Sequence, residues 1–119
     1  MIGDFDGDGK TDVSVFRPST GVWYLDRSTA GFAAINWGVS GDVLVPGDFD
    51  GDGKADTAIF RADANPANSD YYILKSNGFV FSGTSWGVPG DVPIVGDYDG
   101  DSKTDFAVFR PSSGTWFVL

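Results

Sequence analysis

Three times along the 119 residues the pattern D-x-D-G-D-[GS]-K-x-D occurs: Asp4, Asp6, Asp8 and Asp12, then Asp48, Asp50, Asp52 and Asp56, then Asp97, Asp99, Asp101 and Asp105. Four carboxylates at loop positions 1, 3, 5 and 9 of a glycine-bent loop converge on one point, and an anionic, oxygen-only set of this kind suits a hard cation. Without a cation the carboxylates repel one another. The main-chain carbonyl at position 7, from Lys10, Lys54 and Lys103, adds a neutral oxygen, while each ammonium points away and softens the field. Position 6 is Gly9 and Gly53 in the first two loops and Ser102 in the third. If that position needs positive φ, the third loop is strained and binds most weakly.

The spacing matches the first nine positions of an EF-hand loop, but lacks the bidentate Glu at position 12 and the flanking helices. Ca²⁺ is expected rather than Mg²⁺, because an irregular shell of about six or seven oxygens suits the larger ion. Three such ions per chain would take the formal charge from −9 to −3. A structural role is expected, since carboxylates and a carbonyl leave little open coordination and the chain has no His, no Cys and no Glu to act as acid, base or nucleophile. No enzyme activity is therefore expected. Gly83-Thr84-Ser85-Trp86-Gly87 fits the G-x-S-x-G pattern, yet a nucleophile elbow needs a strand-to-helix turn and a His partner. Gly9-Lys10-Thr11 lacks the leading glycine of a phosphate loop.

The elements that must position these loops repeat with them. Residues 3–25 and 96–118 agree at 15 of 23 positions, and a middle copy begins at Gly47. The offsets Asp4 to Asp48 and Asp48 to Asp97 are 44 and 49, which a five-residue insert between Arg61 and Tyr71 reconciles. A second phrase, from Trp37 and again from Trp86, shows that the whole unit repeats. Within a unit, period-two runs at 13–16, 57–60 and 106–109 predict a strand after each loop, followed by a Pro–Gly turn and a second strand at 22–25. A third strand is expected at 32–37 and 79–81, and a fourth at 42–45 and 91–95, leading into the next loop. Four short strands per ~40–45 residues point to an all-β chain of β-propeller blades. The chain reads as one unit, 1–119, with repeats of approximately 1–42, 43–91 and 92–119, that is, about three blades with the third incomplete. Propellers typically close with four to eight blades, so closure into a ring by homo-oligomerisation is expected, a dimer giving six.

The repeated GDFDGDGKTD followed by V-x-V-F-R resembles the FG-GAP/VCBS repeats of integrin α-subunit propellers and bacterial surface proteins. The resemblance spans essentially the whole chain and implies that the twelve Asp residues named above are Ca²⁺ ligands. It further implies adhesion, carbohydrate recognition or scaffolding, in an extracellular or cell-surface setting. Two alternatives follow: a lectin-like propeller binding glycan or protein, and an accessory domain of a secreted polysaccharide-active enzyme. Seventeen acids against eight bases repel nucleic acid and anionic membrane, no apolar run is long enough to insert in a bilayer, and residues 1–4 lack the pattern of a signal peptide. Trp23, Tyr72 and Trp116, like Trp37 and Trp86, recur and are expected to pack between blades. Arg17, Arg61 and Arg110 are expected to form ion pairs or donate to carbonyls near the loops. The insert, with Asn65, Pro66, Asn68, Ser69 and Asp70, breaks the repeat and is a candidate contact loop.

Overall fold

A computed structural model describes residues 2–65, 67–76 and 78–119. Met1, expected near the end of a strand, and Pro66 of the insert lie outside them. The strands are short, because Gly, Pro and Asp recur before any run exceeds seven residues. β1 (Ile2–Gly3), β2 (Asp12–Arg17), β3 (Val22–Arg27) and β4 (Gly31–Asn36) form one antiparallel sheet in chain order. β5 (Val43–Leu44), β6 (Thr57–Phe60), β7 (Tyr71–Leu74) and β8 (Phe81–Thr84) form a second, and β9 (Val92–Pro93), β10 (Ala107–Arg110) and β11 (Thr115–Val118) a third. The chain is thus all-β, with antiparallel sheets of three or four strands and, among the described residues, no helix. Each aspartate loop joins the first strand of a sheet to its second.

Register shows why the repeats are not quite equal. Phe16 pairs with Trp23, Phe60 with Tyr71 and Phe109 with Trp116. Tyr71, and not Tyr72 as expected, therefore stands where Trp23 and Trp116 stand; Tyr72 occupies the place of Tyr24 and Phe117. The five extra residues divide accordingly, four before Tyr71 and one in the following turn. The next strand is Phe81–Thr84 and not the expected 79–81, and Phe79, in the turn before it, takes a φ of 53°.

Cores lie between sheets, since one small sheet cannot bury both of its faces. Trp23, Leu25 and Phe5 of the first unit cluster with Ile59 of the second. Tyr71, Ile73 and Phe60 of the second cluster with Val108 of the third. Polar atoms of the buried Tyr71 and the half-buried Trp37 and Trp86 find carbonyls across the same seams. The Tyr71 hydroxyl donates to Ala107 O at 2.7 Å, and the Trp37 and Trp86 indoles donate to Tyr72 O and Phe117 O, both at 3.1 Å. Trp37 and Trp86 thus bridge sheets as expected. Trp116 is exposed.

The three arginines lie at the far end of their strands from the aspartate loops, not near them. Arg61 grips Asp42 through two hydrogen bonds of 2.6 Å, and Arg110 grips Asp91 at 2.8 and 2.9 Å. Arg17 instead donates to the Tyr24 hydroxyl at 3.1 Å. The insert folds onto itself: Asp63 accepts from the Asn65 amide and the Asn68 side chain, while buried Asp70 accepts from the amides of Asp63 and Trp86. Ser85 sits just past the end of β8, with its hydroxyl at 3.5 Å from Asp70.

Candidate metal centres

Each loop is built by its own carboxylates capturing its own amides. Asp4 accepts from the Gly7 and Gly9 amides at 2.8 and 2.9 Å. Asp48 accepts from Gly51 and Gly53 at the same distances. Asp97 accepts from Gly100 and Ser102 at 2.8 and 3.0 Å. A short acid at position 1 can reach these amides three and five residues on without leaving the loop. Position 5 fixes the next turn, because Lys10, Lys54 and Lys103 donate their amides to Asp8, Asp52 and Asp101 at 2.8 to 2.9 Å. Position 9 closes the loop: Asp12, Asp56 and Asp105 accept from the amides of Phe5, Phe49 and Tyr98. At position 6 the φ angles are 84°, 85° and 69°, so Ser102 does adopt the left-handed conformation that Gly9 and Gly53 take without strain.

In the first loop one carboxylate oxygen from each of Asp4, Asp6, Asp8 and Asp12 lies within 4.8 Å of the others. The same holds for Asp48, Asp50 and Asp56, and for Asp97, Asp99 and Asp101. Asp52 and Asp105 stand outside these groups. Two oxygens on opposite sides of one Ca²⁺, each at 2.3–2.6 Å, are about 5 Å apart, so the clusters have the dimensions that a single ion requires. Among the described residues the ion pairs are those of Arg61 and Arg110, and no loop carboxylate has a cationic side chain within ion-pair distance. In the middle loop the charge is only partly offset, by Lys54 acting on Asp52 from beyond that distance. Burial, then the neighbouring Asp56 charge, pushes Asp50 upward, and burial likewise raises Asp56. The donor set and the unbalanced charge both fit a divalent cation.

Sequence reasoning missed the turn that closes over each of the first two loops. The Ser28 amide donates to Asp12 at 2.9 Å, its hydroxyl bonds Asp8, and the Thr29 and Ala30 amides donate to Asp6 at 2.8 and 2.9 Å. The Thr29 hydroxyl, first among these donors, holds Asp6 far below the usual carboxylate range, and the Ser28 hydroxyl lowers Asp8. Ser76 repeats the arrangement with its amide on Asp56 and its hydroxyl on Asp52. A hydroxyl residue just past β3 and β7, at Ser28 and Ser76, is the available signal.

Neighbouring loops are joined as well. The Ala55 amide donates to the Asp4 carbonyl and the Thr104 amide to the Asp48 carbonyl, both at 2.7 Å. The stems of Lys54 and Lys103 lie beside Gly7 and Gly51, where an added Cβ would meet the lysine Cγ at 3.0 Å.

Residues 4–59 match the family model of the FG-GAP-like repeat. No curated protein and no solved structure matches the chain. Among the described residues no helix is long and apolar enough to cross a membrane.

Proposed function

From the FG-GAP-like repeat that the chain carries over residues 4–59, we propose a noncatalytic, calcium-binding interaction module of β-propeller type. Such repeats are typically noncatalytic structural or interaction modules and typically extracellular. The observation that carries the reading is the convergence of carboxylates in all three loops with, among the described residues, no cationic side chain within ion-pair distance of them. Asp4, Asp6, Asp8 and Asp12, with their counterparts and the Lys10, Lys54 and Lys103 carbonyls, would hold one Ca²⁺ per loop. Its bound charge would offset the repulsion and fix the strand-to-strand crossing. On this reading each sheet is a blade, the repeats divide at about 42 and 91, and pairing with a second copy completes a ring outside the cell, where millimolar Ca²⁺ saturates weak sites. Thermal unfolding with excess Ca²⁺ and with chelator tests it: ligand linkage raises the midpoint with Ca²⁺, and identical midpoints contradict the metal role.

A second reading, carbohydrate binding, rests on two equivalent grooves. One of about 190 Å³ is lined by Trp37, Arg61 and Tyr72, and one of about 170 Å³ by Trp86, Arg110 and Phe117. Tryptophan and arginine lining suits a sugar ring and its hydroxyls. Glycan-array binding that is lost in Trp37→Ala supports this reading.

A further inference from the structure

Between the first two sheets, beside the first aspartate loop, lies a cavity of about 120 Å³ that neither reading above uses. Both of its walls come from four-stranded sheets. Its floor is apolar, with Leu25 of β3 buried and Leu74 of β7 half-buried. Its rim carries two cations, Arg27 at the end of β3 and Lys54 of the middle loop, against one carboxylate, Asp6. That balance is the reverse of the chain's own, eight bases to seventeen acids. Asp6 is engaged by its own turn, accepting from the Thr29 and Ala30 amides and the Thr29 hydroxyl. Arg27 is held in place by turn carbonyls: Nε donates to Gly31 O at 3.0 Å and Nη2 to Ala30 O at 3.3 Å. Those bonds orient the guanidinium and leave N–H groups over for a ligand oxygen. Neither Arg27 nor Lys54 has a carboxylate within ion-pair distance among the described residues.

The mouth of the cavity is also where the repeat breaks. In the first sheet Arg27 pairs with Gly31 across the turn, whereas in the second the Lys75 amide bonds Val80 O, one residue farther along. The longer turn sets Phe79 on the cavity, 59% exposed and at a φ of 53°. A bulky side chain in the left-handed region is strained, and here the strain is not repaid by burial. Strain of this kind persists where a residue serves a site. We propose that the cavity binds a small organic monocarboxylate with one ring-sized apolar body, the body against Leu25, Leu74 and Phe79 and the carboxylate on Arg27 and Lys54. An apolar cavity of about 150 Å³ holds benzene, so this one takes a single ring with its charged end at the rim. The guanidinium fork matches a carboxylate, and the ammonium adds a second positive charge.

Titration with benzoate in millimolar Ca²⁺, followed by the amide resonances of the chain, tests this. Saturable shifts centred on Ala30, Ala55 and Phe79 are expected. Benzamide, of the same shape but uncharged, is expected to bind about tenfold more weakly or worse, since the charge-assisted hydrogen bonds are lost. Arg27→Gln should weaken benzoate by about tenfold and leave benzamide unchanged. Phe79→Gly removes both the ring and the strain, so it should lose benzoate while its melting midpoint is no lower than that of wild type. A turn residue with a purely structural role would not link those two changes. The proposal is overturned if no shift saturates, if benzamide binds as well as benzoate, or if Phe79→Gly keeps the wild-type affinity. It is equally overturned if the shifts spread over all three aspartate loops, which is the pattern of a carboxylate bound to loop cations and not to the cavity.

Discussion

The main-chain carbonyl of Asp48 accepts the amide of Thr104 at 2.7 Å, so the first acid of the middle loop is also the anchor of the third. Asp4 and Ala55 repeat this bond at the same distance one unit earlier. The acid that begins each of these two loops thus organises the loop with its carboxylate and reaches the next unit with its carbonyl. Disturbing a loop is therefore felt across the seam between sheets.

Asp50→Asn should change sign with calcium. Without the ion it removes one of several crowded like charges in a loop where Asp50 and Asp56 are both pushed upward, so the midpoint in chelator rises. With the ion it removes a charged ligand and the midpoint falls, as lost ligand linkage requires. Lys54→Met, which keeps most of the stem beside Gly7, should leave the Ca²⁺-dependent gain nearly unchanged. Parallel melts of the three proteins check this, and a fall for Asp50→Asn in both buffers contradicts it.

Ser102→Gly should relieve the third loop. A φ of 69° costs a side-chain-bearing residue about 1 kcal/mol or more, and the greater freedom of Gly in the unfolded chain returns part of that, so a net gain of roughly 0.5 kcal/mol is expected. Denaturant midpoints in chelator measure it without the metal. Tighter Ca²⁺ uptake at one site of three is the accompanying expectation.

Much of this was legible beforehand because the signals were local. The left-handed position 6 could be read from Gly9 and Gly53, and the strands after each loop from period-two runs. The place of Tyr71 could not, since two adjacent tyrosines offer the same residue type and only pairing with Phe60 selects between them. Ser28 and Thr29 escaped for a similar reason: they lie more than 15 residues from the carboxylates they hold, and only the sheet brings them back. Arg61 and Arg110 do form the expected ion pairs, but not near the loops: their acids lie 19 residues upstream, at the opposite end of the strand.

The Asp91–Arg110 pair should give a distinct acid dependence. Arg110 holds the Asp91 carboxyl below its ordinary range, so its contribution to stability is fully present above the unfolded carboxylate pKa of about 4 and disappears as pH falls through the lower folded value. The difference in midpoint between wild type and Arg110→Met should be constant above about pH 5 and shrink below about pH 4. A difference independent of pH down to about 2 would show that the pair contributes nothing through charge.

Trp23→Ala should cost about 3–5 kcal/mol, the range for deleting a fully buried large aromatic. The loss includes the indole bond to Trp37 O at 2.8 Å, which leaves a carbonyl without that donor. Equilibrium urea unfolding in Ca²⁺ measures it, and a loss under about 1 kcal/mol would be incompatible with burial between sheets.

Calorimetric titration of the chelator-stripped chain with Ca²⁺ bears most directly on the whole account. Three ions bound per chain, with two after the paired change Asp50→Asn and Asp56→Asn, is the expected result. A folded chain that takes up no Ca²⁺ at millimolar concentration contradicts it.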